Sequence, residues 1–289
     1  MIFTMMPRAI VSAKRINEVL DTKPAIVDGH AKDGEKGVEG EVEFRNVSFK
    51  YPGATDYVLK NISFKAKKGE TVAFIGSTGS GKSTLINLIP RFYDTTEGEV
   101  LVNGINVKEY IQEALYNKIG YVSQKAVMFR GTVSSNVSYG ENGKKKAVAE
   151  EIKSAIRIAQ GSDFVEKMEM QYDSDISQGG ANVSGGQKQR LAIARAVCRN
   201  PDIYIFDDSF SALDYKTDRI LRSALKRETG GVTNLLVAQR IGTIIDADQI
   251  IVLNEGRVVG KGTHKELLNT CDVYKEIAMS QLSKEELIS

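Results

Sequence analysis

The sequence predicts an α/β fold with a largely parallel sheet, and two kinds of pattern carry this prediction. Short runs of continuously apolar residues are typical of strands buried on both faces of a sheet, and they occur at 71–75, 203–206, 235–238 and 250–253. Between the first two runs, residues 148–165 place apolar side chains at helical spacing. Strands that alternate with helices predict a sheet whose parallel strands are joined by helical connections.

The N-terminal part of the chain has a different pattern. Residues 8–20 carry apolar positions at helical spacing and predict a short amphipathic helix. Residues 28–40 contain four glycines among many charges and predict a linker. From Glu41 onward, apolar and polar residues alternate over 42–49 and then over 59–64, as in half-buried strands. A β-rich segment is therefore predicted before the central strands.

Later in the chain, a helix is predicted to begin near Ser184, and a helical tail near His264. Asn254-Glu255-Gly256 predicts a turn between the apolar run before it and a strand at 257–260.

The bulk composition excludes several function classes. The chain has 289 residues and a formal net charge of only +2, so its charge gives no indication of nucleic-acid binding. The basic run at 144–146 is interpreted as a solvated loop. Cys198 and Cys271 lack metal-ligand spacing and predict reduced thiols. No stretch approaches the roughly 18 apolar residues that span a bilayer.

A glycine-rich segment follows the first apolar run. It reads Gly76-Ser-Thr-Gly-Ser-Gly81-Lys82-Ser83, the pattern in which successive backbone N–H groups surround phosphate oxygens. Lys82 is expected to reach the β- and γ-phosphates, and the Ser83 hydroxyl to bind Mg²⁺. A plain glycine-rich turn is the alternative, but the strand before it and the helix-forming run after it favour a nucleotide site.

A carboxylate ends the second apolar run. Asp207 follows Ile203–Phe206, and the carboxyl ends of parallel strands meet at the edge of the sheet where ligands bind. Alone, an apolar run that ends in aspartate is a weak signal. Together with the phosphate-binding loop, it predicts that Asp207 holds Mg²⁺, commonly through water.

The segment Ser184-Gly185-Gly186-Gln187, followed by Lys-Gln-Arg-Leu-Ala-Ile-Ala-Arg, resembles the signature motif of ATP-binding cassette (ABC) proteins. The resemblance covers about residues 41–280 and points to the exporter branch. It implies a P-loop NTPase (RecA-like) core with an N-terminal antiparallel β-subdomain and an inserted α-helical subdomain at 126–190. Residues 1–40 would then be a helix and linker from an absent transmembrane domain, and 281–289 a C-terminal tail.

The resemblance also assigns roles to individual residues. It implies that ATP is bound by Tyr51, Val58, Gly76, Thr78, Gly79, Ser80, Gly81, Lys82, Ser83, Thr84 and Gln124. It implies Mg²⁺ ligation by Ser83, Gln124 and Asp207, and catalytic roles for Lys82, Gln124, Asp208 and Gln239. Ser184, Gly185, Gly186, Gln187 and Asp214 would complete the nucleotide site of a second cassette. Tyr51 would stack on adenine, although an edge-strand aromatic is equally compatible with the sequence.

Two positions depart from the family pattern. Where active members have a glutamate that acts as general base, this chain has Asp208, and where they have a switch histidine it has Gln239. Aspartate is one methylene shorter, and a misplacement of about 1 Å can cost on the order of 100-fold in rate. Glutamine can donate a hydrogen bond but cannot accept a proton near neutral pH. Both changes predict an impaired hydrolytic site.

The coherent interpretation is the degenerate-site half of a heterodimeric exporter, on the cytoplasmic face of the cell membrane. Its partners would be a non-identical cassette with the consensus glutamate and histidine, together with transmembrane domains, and not nucleic acid. A slowly hydrolysing homodimeric exporter cassette is the alternative. A purely regulatory ATP-binding module differs from the first interpretation only in degree. A soluble cassette ATPase acting on DNA or ribosomes is disfavoured because the chain lacks a long coiled-coil insertion and a second cassette.

Overall fold

The computed structural model of the chain describes residues 2–140 and 142–282. Its strands, in chain order, are β1 (Val42–Phe49), β2 (Leu59–Ala66), β3 (Thr71–Gly76), β4 (Glu97–Val102), β5 (Ile105–Asn106), β6 (Ile119–Val122), β7 (Gly131–Thr132), β8 (Asp175–Ile176), β9 (Ile203–Asp207), β10 (Thr233–Val237), β11 (Gln249–Asn254) and β12 (Arg257–Gly262). Its helices are α1 (Ile2–Leu20), α2 (Lys82–Asn87), α3 (Gln112–Asn117), α4 (Val133–Val137), α5 (Ala149–Ile158), α6 (Ser162–Val165), α7 (Gly185–Cys198), α8 (Tyr215–Glu228), α9 (Ile241–Ile244), α10 (His264–Thr270) and α11 (Asp272–Gln281).

The central sheet has the strand order β12–β11–β3–β10–β9–β6. All neighbouring pairs are parallel except β11 with β12, which forms an antiparallel edge. The four continuous apolar runs correspond to β3, β9, β10 and β11. The α/β class and its largely parallel sheet are thus confirmed.

The strand β3 is buried on both faces, which explains its unbroken apolar sequence. Val72 and Phe74 pack into the core formed with α2 and the N-terminal strands. Ala73 and Ile75 point the other way, into the core formed with α5 and α7. Because side chains alternate across a strand, a strand between two cores must be apolar at successive positions.

A second, antiparallel sheet has the order β2–β1–β4–β5 and covers one face of the central sheet. In β1, Val42 and Phe44 are buried, whereas Arg45 is exposed, as the alternating pattern predicts. Phe44 stacks on Phe64 of β2 with ring centroids 4.6 Å apart. This sheet is the predicted N-terminal β-subdomain.

The segment predicted as one helix over 148–165 is two helices, α5 and α6. Gln160 has φ +57, a left-handed conformation that ends a helix, and the N–H of Gly161 donates to the Ile156 carbonyl at 2.7 Å. The predicted apolar face is confirmed by the buried side chains of Ile152, Ala155 and Ile156 in α5 and of Ala159 directly after it. With α4, the β7–β8 pair and the beginning of α7, these helices make up the part of the chain predicted as the helical subdomain.

The predicted linker at 28–40 is fixed to the protein surface. The buried Arg91 guanidinium donates to the carbonyl of Val27 at 3.0 Å, just before this segment. At its other end, the N–H of Gly40 donates to the side-chain oxygen of Asn103 at 2.8 Å. Backbone hydrogen bonds between the segment and Tyr110 add to this attachment. A Cβ on Gly29 would lie 2.0 Å from the Glu109 carbonyl oxygen, so glycine allows close packing at this point of the segment.

The N-terminal helix α1 begins before the predicted start at residue 8, and Pro7 lies inside it. From Met5 to Leu20 all its side chains are exposed. Within the described ranges, no helix combines the length and apolar character needed to cross a bilayer. Of the predicted tail at 281–289, residues 283–289 lie outside the described part of the chain.

Candidate functional site

The predicted nucleotide-binding residues meet at the carboxyl ends of the parallel strands. The parallel strands β3, β10 and β9 all end at the same edge of the sheet. Open α/β sheets bind ligands outside the carboxyl ends of their strands. An open cleft of about 690 Å³ lies there. The predicted site residues that line it are Val58, Gly76, Thr78, Gly79, Gly81, Lys82, Ser83, Thr84, Gln124, Asp207, Asp208 and Gln239.

The phosphate loop connects β3 to α2 and folds around the ammonium group of Lys82. This group donates to the carbonyls of Gly76 and Ser77 at 2.9 and 2.8 Å and contacts the Ser80 hydroxyl at 3.3 Å. The loop ends at Gly81, whose φ of +100 suits glycine and which precedes the first turn of α2. Burial lowers the pKa of Lys82, while the carboxylates of Asp208 and Asp207 oppose that shift.

The predicted Mg²⁺ ligands lie next to each other. The hydroxyl of Ser83 donates to Asp207 Oδ1 at 2.9 Å. Gln124, which follows β6, lines the same cleft. A hydroxyl, a carboxylate and an amide carbonyl are oxygen donors of the kind that Mg²⁺ prefers, so this set fits the ion.

The two departures from the family pattern are in direct contact. The side-chain amide of Gln239 donates to Asp208 Oδ2 at 2.6 Å. The amide of Gln124 donates to the same oxygen at 3.1 Å. Asp208 itself has φ +47, a conformation that aspartate tolerates better than most residues, and its N–H donates to the Val237 carbonyl at 3.0 Å. Its carboxylate is therefore held on one side by two amides.

Burial raises the pKa of both site carboxylates. For Asp207, which is 7% exposed, desolvation has the largest effect, and the hydrogen bond from Ser83 opposes it. For Asp208, desolvation again leads, and the hydrogen bond from Gln124 is the largest opposing effect. When the pKa of a carboxyl group is higher in the folded state than in the unfolded state, the ionised carboxylate destabilises the folded protein. The full cost applies at pH values above the folded-state pKa.

This sign leads to a prediction for Asp207→Asn. At neutral pH the substitution is expected to raise the melting temperature of the protein without nucleotide, by about 2–4 °C for each kcal/mol of relieved desolvation. The advantage should shrink as pH falls through the raised pKa and vanish below about pH 4, the ordinary aspartate range. Thermal unfolding measured from pH 4 to 8 checks this. Asp56→Asn, at an exposed position, is the matched control, and a pH-independent difference would contradict the prediction.

Tyr51 lies beside the cleft and not in its lining. Its hydroxyl forms a 2.9 Å hydrogen bond with the Thr84 hydroxyl on α2. Its ring packs edge-on against Phe49 and Tyr93, with centroids 5.0 and 5.2 Å away. The hydroxyl contact fixes Tyr51 at the nucleotide-binding helix, and stacking on adenine stays a prediction.

The residues predicted to serve a second cassette lie apart from this cleft. Ser184 caps α7, where its hydroxyl accepts the N–H of Gln187 at 3.3 Å and its own N–H donates to the Gln187 side chain at 2.9 Å. A Cβ on Gly186 would lie 3.9 Å from the Leu213 side chain, so this turn adjoins the loop of Asp214. Asp214 in turn caps α8. Ser184 and Asp214 thus both cap helix N-termini, where N–H groups without a helical partner can bind an anion.

One wall of the cleft comes from a helix to which the sequence assigned no role. The side chains of α11 that line it are Val273, Glu276, Ile277, Ser280 and Gln281. A helical tail is predictable from apolar spacing, but its placement against the phosphate loop is a tertiary contact with no motif to mark it.

Comparison with known proteins assigns this site to a family. The family model for ABC transporters matches residues 59–211, slightly more than half of the chain. An ATP-bound bacterial Atm1-family ABC exporter has a similar solved structure, with a TM-score of 0.89 and 32% sequence identity. That match covers 98% of this chain and 49% of the exporter chain.

Curated relatives agree with this assignment. An uncharacterized ABC transporter ATP-binding protein of Mycobacterium tuberculosis is 47% identical over 282 residues, which cover 97% of this chain and 48% of the relative. The ATP-dependent lipid A-core flippase of Haemophilus influenzae is 40% identical over 265 residues, 92% of this chain and 44% of the flippase. The chain thus spans about half the length of these relatives. It belongs to the ABC transporter family and carries the ATP-binding domain of that family.

Proposed function

We propose that this chain is the nucleotide-binding domain of an ABC exporter whose own site binds Mg-ATP but hydrolyses it slowly. In this proposal, ATP binding closes a head-to-tail pair of cassettes, and closure drives the membrane half of the transporter. The signature residues of this chain would complete a competent site on a non-identical partner cassette.

The observation that carries the proposal is the 2.6 Å hydrogen bond between Gln239 and Asp208. It joins the two departures from the family pattern into one unit. A switch residue must direct its polar group toward the γ-phosphate, but the amide of Gln239 is engaged by the carboxylate. The amide is uncharged and does not take up a proton near neutral pH, so Gln239 lacks both properties that a histidine would have at this position.

The carboxylate is also poorly arranged to act as a general base. Asp208 Oδ2 accepts two amide N–H groups, from Gln124 at 3.1 Å and from Gln239. These hydrogen bonds occupy the oxygen that a proton from water would have to reach, and they oppose the rise that burial gives to the pKa of Asp208. The side chain is one methylene shorter than glutamate, so an attacking water would lie beyond its best reach. A general base contributes roughly 10²–10⁴-fold, and much of that is expected to be lost.

The partner side supports asymmetry. The N-terminus of α7 retains Ser184, Gly186 and Gln187 with the capping hydrogen bonds that order it. Asp214 caps the neighbouring helix. The chain would thus combine an impaired nucleotide site of its own with intact residues for the site of a partner. This combination is expected of a heterodimer with one competent site.

The membrane half is inferred from the relatives. The chain covers about half the length of its curated relatives, and the solved exporter it resembles is likewise about twice as long. The exposed helix α1 lies at the end of the chain where such a half would connect. The substrate would be selected there.

The test is ATP hydrolysis and binding by the purified chain. Micromolar Mg-ATP binding with turnover near 0.1 s⁻¹ or below is expected, about 100-fold under the ordinary enzyme median of about 10 s⁻¹. Lys82→Ala serves as the blank. Turnover of several per second by the unmodified chain would overturn the impaired-site proposal, because Asp208 would then suffice as the base.

A further inference from the structure

The C-terminal helix reaches the loop that carries Gln239. The last residue of α11, Gln281, lies where the cleft wall meets the segment between β10 and α9. Its side-chain nitrogen donates to the carbonyl of Gln239 at 2.8 Å, and its side-chain oxygen accepts the N–H of Ile241 at 2.8 Å. One side chain thus binds the backbone on both sides of Arg240.

A primary amide has the same donor and acceptor pair as a peptide group. Gln281 therefore pairs with two backbone groups of this loop as a neighbouring strand would. It donates one hydrogen bond and accepts the other. The bond to the Ile241 N–H is part-buried and the bond to the Gln239 carbonyl is exposed, so each stabilises the loop only modestly.

The loop depends on such outside support. The helix α9 is only four residues long, and Arg240 at its N-cap supplies no side-chain hydrogen bond to it. The first N–H groups of a helix have no partner inside the helix, and Ile241 provides one of them. On the strand side, the N–H of Ala238 donates to the Phe74 carbonyl at 3.1 Å. Gln239 lies between these two attachments.

The support comes from a firmly packed helix. Tyr274 and Ala278 of α11 are fully buried. The Tyr274 hydroxyl forms a 2.7 Å hydrogen bond with His264 Nδ1 of α10. Gln281 follows Ala278 by almost one turn, so its backbone is fixed by the packing of the same helix.

We propose that Gln281 is a positioning residue for the switch position: it fixes the Gln239 backbone so that the residue-239 side chain reaches residue 208 across the cleft. The order of contacts is Gln281 to the Gln239 carbonyl, and the Gln239 amide to Asp208 Oδ2. Its catalytic consequence rests on the function proposed above. The positioning itself does not.

Gln281→Leu tests the positioning, because leucine keeps the apolar stem and removes both hydrogen bonds. In the deuterated, ¹⁵N-labelled chain, the side-chain amide resonance of Gln239 is expected to move toward that of a solvated glutamine. Exchange of the Ile241 N–H should accelerate roughly tenfold, the equivalent of one lost hydrogen bond. Gln239→Ala identifies the side-chain resonance.

Two controls separate positioning from general damage. Gln124 donates to the same Asp208 oxygen from a different element, so its side-chain resonance should shift much less than that of Gln239. Ser280→Ala alters the neighbouring residue of α11, whose hydroxyl donates to the Ile277 carbonyl of its own helix at 2.7 Å. An unchanged Gln239 resonance in Gln281→Leu would overturn the inference, and so would equal shifts of Gln239 and Gln124.

The catalytic consequence is measured with Asp208→Glu and Gln239→His both present. Adding Gln281→Leu there should lower kcat about tenfold and leave the KM for ATP unchanged, because only the switch loop is loosened. An unchanged kcat, or a rise in KM alone, would overturn the catalytic part. If the double variant itself does not hydrolyse ATP, the function proposed above fails. The resonances of the parent chain still decide whether Gln281 positions the loop.

Discussion

The double substitution Asp208→Glu with Gln239→His is expected to raise ATP turnover by the purified chain roughly 10²–10³-fold. Glutamate extends the carboxylate by one methylene toward the water that attacks the γ-phosphate. The side-chain amide of Gln239 is now hydrogen-bonded to Asp208. Histidine would replace this amide by a group that can carry charge. The two side chains are in contact, so their effects should be coupled and not additive.

Five proteins measured together make the comparison complete: the parent, the double variant, the two single variants and the double variant with Lys82→Ala. Asp208→Glu alone should recover most of the rate, because it restores the base. Gln239→His alone should give little, because the histidine would then face a carboxylate that remains too short. Lys82→Ala in the double variant should return turnover to the background, which shows that the phosphate loop is used.

The double variant also tests how the cassettes assemble. Under the proposed function, the signature residues of one copy would complete the site of another, so turnover per chain should rise with protein concentration. Ser184→Ala in this background removes a helix cap worth about 1 kcal/mol together with the hydroxyl that we propose contacts the phosphate of the partner cassette. A double variant that binds ATP as the parent does but remains equally slow would show that these two side chains do not cause the impairment.

Much of the fold was predictable because its central strands are buried on both sides. A strand such as β3, with Val72 and Phe74 in one core and Ala73 and Ile75 in the other, has an unmistakably apolar sequence. The strand β4 has no such signature. It begins Glu97-Gly-Glu and packs only its later residues, so its position in the antiparallel sheet follows from tertiary pairing.

The site was predictable to the extent that local motifs define it. The phosphate loop, Asp207 and Gln239 lie in the cleft because each follows a strand that ends at the same edge. The contact between Gln239 and Asp208 was not predictable, since it depends on side-chain conformations across two strands. The bond from Gln281 to the same loop joins residues about forty positions apart, and no spacing rule covers it.

The substitution Gly76→Ala is expected to cost stability and nucleotide binding together. Gly76 ends β3 beside Leu253 of β11, at φ +153. An added Cβ would lie 2.0 Å from the Leu253 carbonyl oxygen and 2.9 Å from the Ser80 hydroxyl. Overpacking of this kind costs roughly 1–3 kcal/mol, and the unfavourable φ adds to it, so the melting temperature should fall by about 5–10 °C.

Nucleotide binding should weaken for the same reason. The added Cβ would displace the Gly76 backbone and the Ser80 hydroxyl. The Gly76 carbonyl and the Ser80 hydroxyl both contact the Lys82 ammonium and so hold the loop in place. Calorimetric titration with Mg-ATP should show at least a tenfold loss of affinity, about 1.4 kcal/mol. Gly79→Ala is the matched control for the change in stability, because Gly79 also has a positive φ, +81, but within the described part of the chain no atom beyond its two neighbours lies within 4 Å of its Cβ position. This control should lower the free energy of unfolding only through the unfavourable backbone conformation, by about 1 kcal/mol. Equal melting temperatures for the two variants would mean that β11 can move away from the loop without loss, and that close packing at the strand end does not fix the nucleotide site.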